Sequence, residues 1–100
     1  MAAFEPELQK EFTEPDVVTC LFHDKRQQIL SVLISEEMTV YDLKTALKMN
    51  PGVVKRHIDL LLDRGLIKQT RTDQNKMGMT LKYYRAVAIK YIVHLEWETR

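Results

Sequence analysis

One cysteine, Cys20, leaves this chain with no intramolecular disulfide and no cysteine zinc site, which fits a reducing compartment. That thiol is expected to be a small core residue of the first helix and not a reactive group. Glycine is scarce at three residues, and none of them builds a Gly-rich phosphate loop. There is also no Ser/His/Asp order at motif spacing and no paired-carboxylate signature, so an enzyme is the poorest reading. No run of 18 or more residues is apolar, and the opening MAAFEPELQKEF has neither a basic nor an apolar leader region. The expected location is the cytoplasm, with no membrane contact.

What is present is one domain's worth of chain, 100 residues at 45% apolar content. A chain of this size buries only about two-thirds of its unfolded surface, so a second copy would help its stability. The net charge of +1 conceals a polarity. Residues 1–37 hold three basic groups against eight acidic ones, whereas residues 44–90 hold eleven basic against three acidic. Such asymmetry suits a phosphate-contacting module on an acidic support.

The acidic residues 1–15, broken by Pro6 and Pro15, read as a flexible arm. Residues 16–85 then form the domain proper. A short apolar helix spans about Asp16–His23, and Asp24 is expected to cap a longer one to about Ser35, carrying Ile29, Leu30, Leu33 and Ile34 at helical spacing. Thr39 with Asp42 makes a capping box for a third helix, with Val40, Leu43, Ala46 and Leu47 on its inner side. Asn50-Pro51 opens a fourth, whose Val54, Ile58, Leu61 and Leu62 define a buried stripe and which stops at Gly65. Leu66–Thr72 and Thr80–Arg85 have strand character around the polar loop Asp73–Met79. Ala86–Trp97 is apolar nearly all round apart from Lys90, His94 and Glu96, and residues 86–100 are therefore expected to form a dimerisation helix. The fold expected is mainly α with a small β-hairpin wing: a winged helix-turn-helix of five helices. Its terminal helices would make a homodimer interface through Val17, Leu21, Ile89, Ile92, Val93 and Trp97.

Two helices joined by a tight turn over Thr39–Gly65, followed by a hairpin with a basic tip, point to double-stranded DNA as partner. The start of the fourth helix, Pro51, Gly52, Val53, Lys55 and Arg56, would enter the major groove. Lys55 and Arg56 suit guanine O6 and N7, and Gly52 lets the backbone approach the groove wall. Tyr41, Lys44 and Thr45 on the third helix would steady phosphates, as would Arg71, Lys76 and Lys82 on the wing, with Gln74 and Asn75 available to the minor groove. Tyr83 and Tyr84 alternate, so one packs inward. His57 suits a structural imidazole or a phosphate ligand, and Met77 and Met79 suit a mobile loop.

The order of elements, with TVYDLKTAL, NPGVVKRHIDLLLDRGLI and KYYRA, resembles the ArsR-type winged-helix regulators of prokaryotes over Phe22–Val87. The leading signal is Val54, His57, Ile58 and Leu61 combined with Asp63-Arg64-Gly65-Leu66-Ile67. The resemblance implies a dimer that sits on operator DNA, in this case a transcriptional regulator and most simply a repressor. In the metal-sensing branch the third helix carries Cys-Val-Cys-Asp-Leu; the matching residues here are Thr39, Val40, Tyr41, Asp42 and Leu43, without either thiolate, so no soft-metal site is expected. Another branch binds metal on the closing helix, where His94 and Glu98 stand at i, i+4 and read instead as a solvated stripe. No metal and no cofactor is expected. Lys48 departs from the family's usual turn glycine, and its positive-φ cost of about 1 kcal/mol suggests a different turn shape.

Two other functions use the same residues. A protein-interaction module would work through the apolar last segment, with the basic groups only solubilising. A non-specific architectural DNA-binding protein would keep the electrostatics without base reading.

Overall fold

In the computed structural model, which describes residues 4–94 and residue 96, the chain runs β1 (Glu7–Phe12), α1 (Pro15–Cys20), α2 (Asp24–Ser35), α3 (Val40–Leu47), α4 (Pro51–Asp63), β2 (Ile67–Gln74), β3 (Thr80–Ala86) and β4 (Ala88–Val93). Local chemistry fixes most helix ends. Thr39 Oγ1 accepts from the Asp42 N–H at 3.0 Å while Asp42 accepts from the Thr39 N–H at 3.1 Å, the reciprocal capping box. Asn50 Oδ1 accepts from the Gly52 N–H at 2.8 Å, and Pro51 occupies the position where a missing N–H costs no hydrogen bond. Gly65, at φ 71°, closes α4. Its N–H reaches Leu62 O and the Leu66 N–H reaches Leu61 O, both at 3.0 Å, in a Schellman arrangement.

α2 differs in one detail from expectation. Its N-cap is His23, whose Nδ1 accepts from the Lys25 N–H at 3.2 Å, and Asp24 lies inside the first turn. An imidazole with a bare Nδ1 serves a helix start as a carbonyl oxygen does, and the loop after α1 brings it into place.

The core gathers Val17, Cys20 and Leu21 of the α1 region, Ile29, Leu30 and Leu33 of α2, Leu43 of α3, and Val54, Ile58 and Leu61 of α4, closed by Leu66, Ile67, Tyr84 and Ala86. Each fully buried Leu or Ile contributes about 1.5–3 kcal/mol of transfer free energy. Of the expected inward positions, Leu62 is half-buried and Ala46 is exposed, because α3 and α4 pack through narrower stripes. β2 and β3 pair antiparallel from Ile67↔Ala86 out to Gln74↔Thr80, with an irregularity between Gln69 and Arg71. Tyr84 is the inward tyrosine, and its backbone bridges to Met38 in both directions.

The ends of the chain correct the sequence-based picture. Four helices are present among the described residues, not five, because Ala88–Val93 is a strand instead of a dimerisation helix. It pairs parallel with β1, from Glu7↔Ala88 to Phe12↔Val93, so much of the expected flexible arm is also a strand. The reasons are local and tertiary together. Ile89, Tyr91, Ile92 and Val93 are β-branched or aromatic and favour extended backbone. β1 supplies their hydrogen-bond partners, and Phe12 stacks on Tyr91 at 5.4 Å between ring centroids. The Tyr91 hydroxyl ties this sheet to the domain, donating to Leu66 O and accepting from the Val87 N–H at 3.1 Å. Burial pushes its pKa up to about 12. No described helix is long and apolar enough to cross a membrane.

Candidate nucleic-acid interface

The turn between α3 and α4 sets how the second helix is presented. Lys48 ends α3 at φ 54°, ψ 46°, with its N–H on Lys44 O. The turn therefore keeps the left-handed shape that a glycine would take, despite the expectation of a different one. Pro51 and Gly52 then stand exposed, Val53 is half-buried, and Lys55 and Arg56 are exposed. At Gly52 an added Cβ would lie 3.1 Å from Asn50 Oδ1, so its absence also frees the cap.

The two basic residues of α4 differ. Lys55 Nζ bonds Asp59 one turn on, and that bond raises the lysine's pKa, keeping it fully charged. Arg56 has no ion-pair partner among the described residues. On α3, Tyr41 is 66% exposed with the Lys44 ammonium 5.0 Å from its ring centroid, and Thr45 is exposed. A shallow cleft lined by Tyr41, Lys55, Leu81 and Lys82 joins α3, α4 and the wing into one face.

The wing's side chains are used unevenly. Gln74, Lys76 and Lys82 are exposed. Asn75 builds the turn: its Oδ1 accepts from the Met77 N–H at 2.9 Å and the Met79 N–H at 3.0 Å, while Gly78 supplies φ 79°. Met77 and Met79 project into solvent. Arg71 is engaged within the chain, its Nε on Glu37 Oε1 at 2.6 Å and its guanidinium 3.7 Å from the centroid of the Tyr83 ring. Thr70 donates to Glu37 at 2.7 Å, and the hydrogen bonds from Thr70 and Arg71 hold that carboxyl below its usual range. Glu37 thus locks the wing's base to the start of α3, a role that its sequence surroundings do not signal. Arg85, likewise unforeseen, donates to Ile34 O at 3.2 Å and Ser35 O at 3.3 Å, satisfying carbonyls at the end of α2.

His57 is buried, packed 4.7 Å from the His23 ring and accepting on Nδ1 from Arg26 Nε at 3.3 Å. Burial lowers its pKa, as do the nearby His23, Arg26, Lys25 and Arg56. Of the residues expected at a dimer interface, Val17 and Leu21 are covered within the chain's own core, Ile92 is half-buried, and Ile89 and Val93 are exposed on β4. Trp97 lies outside the described residues, as does Glu98. His94 follows a strand and faces Glu11 of β1 at 3.6 Å, in place of a helical i, i+4 relation.

Residues 23–69 match the family model described as bacterial regulatory protein, arsR family. No curated protein matches the chain in sequence. Among solved structures, the homodimeric winged helix-turn-helix DNA-binding domain Mb0332 from Mycobacterium bovis, a possible ArsR-family regulator, superposes with TM-score 0.61 at 27% identity over 73% of this chain and 62% of its own. The transcriptional regulator HlyU from Vibrio vulnificus CMCP6 gives 0.57 at 22% identity, over 71% of this chain and 68% of its own. NolR from Sinorhizobium fredii gives 0.59 at 23% identity, over 73% and 67%. The last two carry the fold alone. Over residues 23–69, the helix-turn-helix and the start of the wing, the chain is therefore of the ArsR type, similar to a family whose members are DNA-binding winged helix-turn-helix transcriptional regulators and not enzymes.

Proposed function

We propose that this regulator is a homodimeric repressor that reads a roughly palindromic operator, with α4 in the major groove and the wing on the backbone or minor groove. The observation that carries this reading is the exposed, basic first half of α4, anchored by Asn50 and Pro51 and leaving Arg56 without an ion-pair partner among the described residues. Arg56 pairs bidentately with guanine, contributing about 1–3 kcal/mol of discrimination, and Lys55 exchanges Asp59 for a base edge or phosphate. Tyr41, Lys44 and Thr45 contact phosphates on one side, and Lys76 and Lys82 do so from the wing. Gln74 reaches the minor groove, and Arg71 acts mainly by holding the wing in place. The second copy covers the exposed Ile89 and Val93 on β4, a reading supported by the homodimeric Mb0332 domain.

The test is selection of duplexes from a random or genomic pool, followed by anisotropy titration. An enriched inverted repeat, bound far more tightly than scrambled DNA and lost in the Lys55→Ala/Arg56→Ala variant, supports the proposal. Salt-dependent binding without enrichment makes the protein architectural. Absence of binding at low salt moves the function to a protein partner, whose contact Ile92→Asp would abolish.

A further inference from the structure

A second polar site lies on α4, along its flank toward the start of α2. His23, Arg26, Arg56 and His57 line an open cleft there together with Leu60. Both imidazoles use Nδ1 as an acceptor, His23 from the Lys25 N–H and His57 from Arg26 Nε. A ring whose Nδ1 accepts carries its proton on Nε2, so each histidine presents an N–H donor. Neither donor has an acceptor among the described residues, although His57 is only 9% exposed. The Arg56 guanidinium adds further donors from the exposed rim. The two carboxylates at the cleft, Asp59 and Asp63, are occupied by Lys55 and Arg64. A pocket with several N–H donors and a nearby guanidinium, whose two carboxylates are each paired with a cation through one oxygen, is complementary to an oxyanion.

We propose that the cleft between the start of α2 and the flank of α4 binds a small phosphate-class anion, held by His23 Nε2, His57 Nε2 and Arg56. Because Arg56 also serves the proposed DNA contact, the bound anion withdraws it from the groove and weakens operator binding. By linkage, DNA weakens anion binding equally. Lowering of the His57 pKa by burial keeps the ring neutral near pH 7, the state in which Nδ1 accepts from Arg26 and Nε2 donates outward. A bound anion opposes that lowering at His57.

The first arm of the test is independent of DNA. Histidine ring resonances of the full chain are followed at pH 7 while inorganic phosphate replaces chloride at constant ionic strength. The expected result is a saturable shift of the His23 and His57 ring resonances, with the exposed His94 unmoved, and a His57 titration midpoint that rises with phosphate. His23→Ser, which preserves an N-cap, should weaken binding about tenfold. His57→Gln, which keeps a donor near Nε2, should bind and His57→Phe should not. Non-saturating shifts, an equal response at His94, or unchanged affinity in His23→Ser would overturn the site. Rings that respond to a duplex but not to inorganic phosphate would also overturn it, reassigning the donors to DNA backbone.

The second arm rests on the proposed DNA function. Phosphate at constant ionic strength should weaken the selected duplex about 5- to 10-fold, and Arg56→Ala should abolish that sensitivity. Ring shifts without any duplex binding would preserve the anion site and sink the DNA reading. Normal duplex binding without ring shifts would do the reverse.

Discussion

Lys48 sits at φ 54° where a side chain crowds the following carbonyl, so the turn of the helix-turn-helix stores a small strain. Lys48→Gly should therefore raise stability by about 1 kcal/mol, less some loss to the freer unfolded chain. Urea unfolding reads it as a higher midpoint at unchanged slope. Two other residues give the stability curve a pH dependence of known sign. His57 has a folded pKa below its ordinary 6.5, so the unfolded chain binds more protons as pH drops, and stability falls from about 6.5 downward through the lowered value. Glu37 has a folded pKa below 4.5, so its contribution is complete above 4.5 and disappears as pH falls through the lowered value. Urea titrations at a series of pH values should show both steps. His57→Gln should remove the upper one and Glu37→Gln the lower.

At the scale of elements, the Tyr91 hydroxyl ties the β1–β4 sheet to the domain beside the packing of Phe12 and Tyr91 on the core and the Val87 N–H bond to Leu66 O at 3.4 Å. Tyr91→Phe leaves the Val87 N–H and Leu66 O without that partner and should cost about 1–2 kcal/mol, seen as a lower melting temperature, with faster hydrogen exchange at Val87. The contrast between this sheet and the helices explains what the sequence reveals. α3 and α4 are legible because their boundaries are set by residues within four positions of each other: Thr39 with Asp42, Asn50 with Gly52, Gly65 with Leu62. β4 is not legible, because an apolar run with few polar interruptions fits a buried helix and a strand equally until a partner is known. That partner, Glu7–Phe12, is almost entirely exposed and lies at the other end of the chain. The interface follows the same division. Exposure of Lys55 and Arg56 follows from helical periodicity within α4, whereas the engagement of Arg71 by Glu37 and of His57 by Arg26 joins residues more than thirty positions apart.

For the molecule as a whole, the exposed apolar residues of β4 and the basic face of α4 lead to linked expectations. Ile89 is half exposed, so Ile89→Asp should leave the fold intact while placing a charge in the proposed interface, and sedimentation should then report a monomer. Salt dependence tests the assembly on DNA itself. If a dimer neutralises about six to ten phosphates, affinity should fall by about 10³ to 10⁵ between 50 and 200 mM salt. Lys76 is exposed at the wing tip, with no base-reading role assigned to it, so Lys76→Ala should weaken binding to specific and scrambled DNA alike. Each lost phosphate contact lowers the slope of log affinity against log salt by about 1. In a dimer that substitution acts twice, so the slope should fall by about 2, whereas a monomer on DNA would show a fall of about 1. The Ile89→Asp background supplies the comparison: adding Lys76→Ala there should change the slope by only about half as much. An equal change in both backgrounds would mean that the β4 face does not hold the two copies together on DNA.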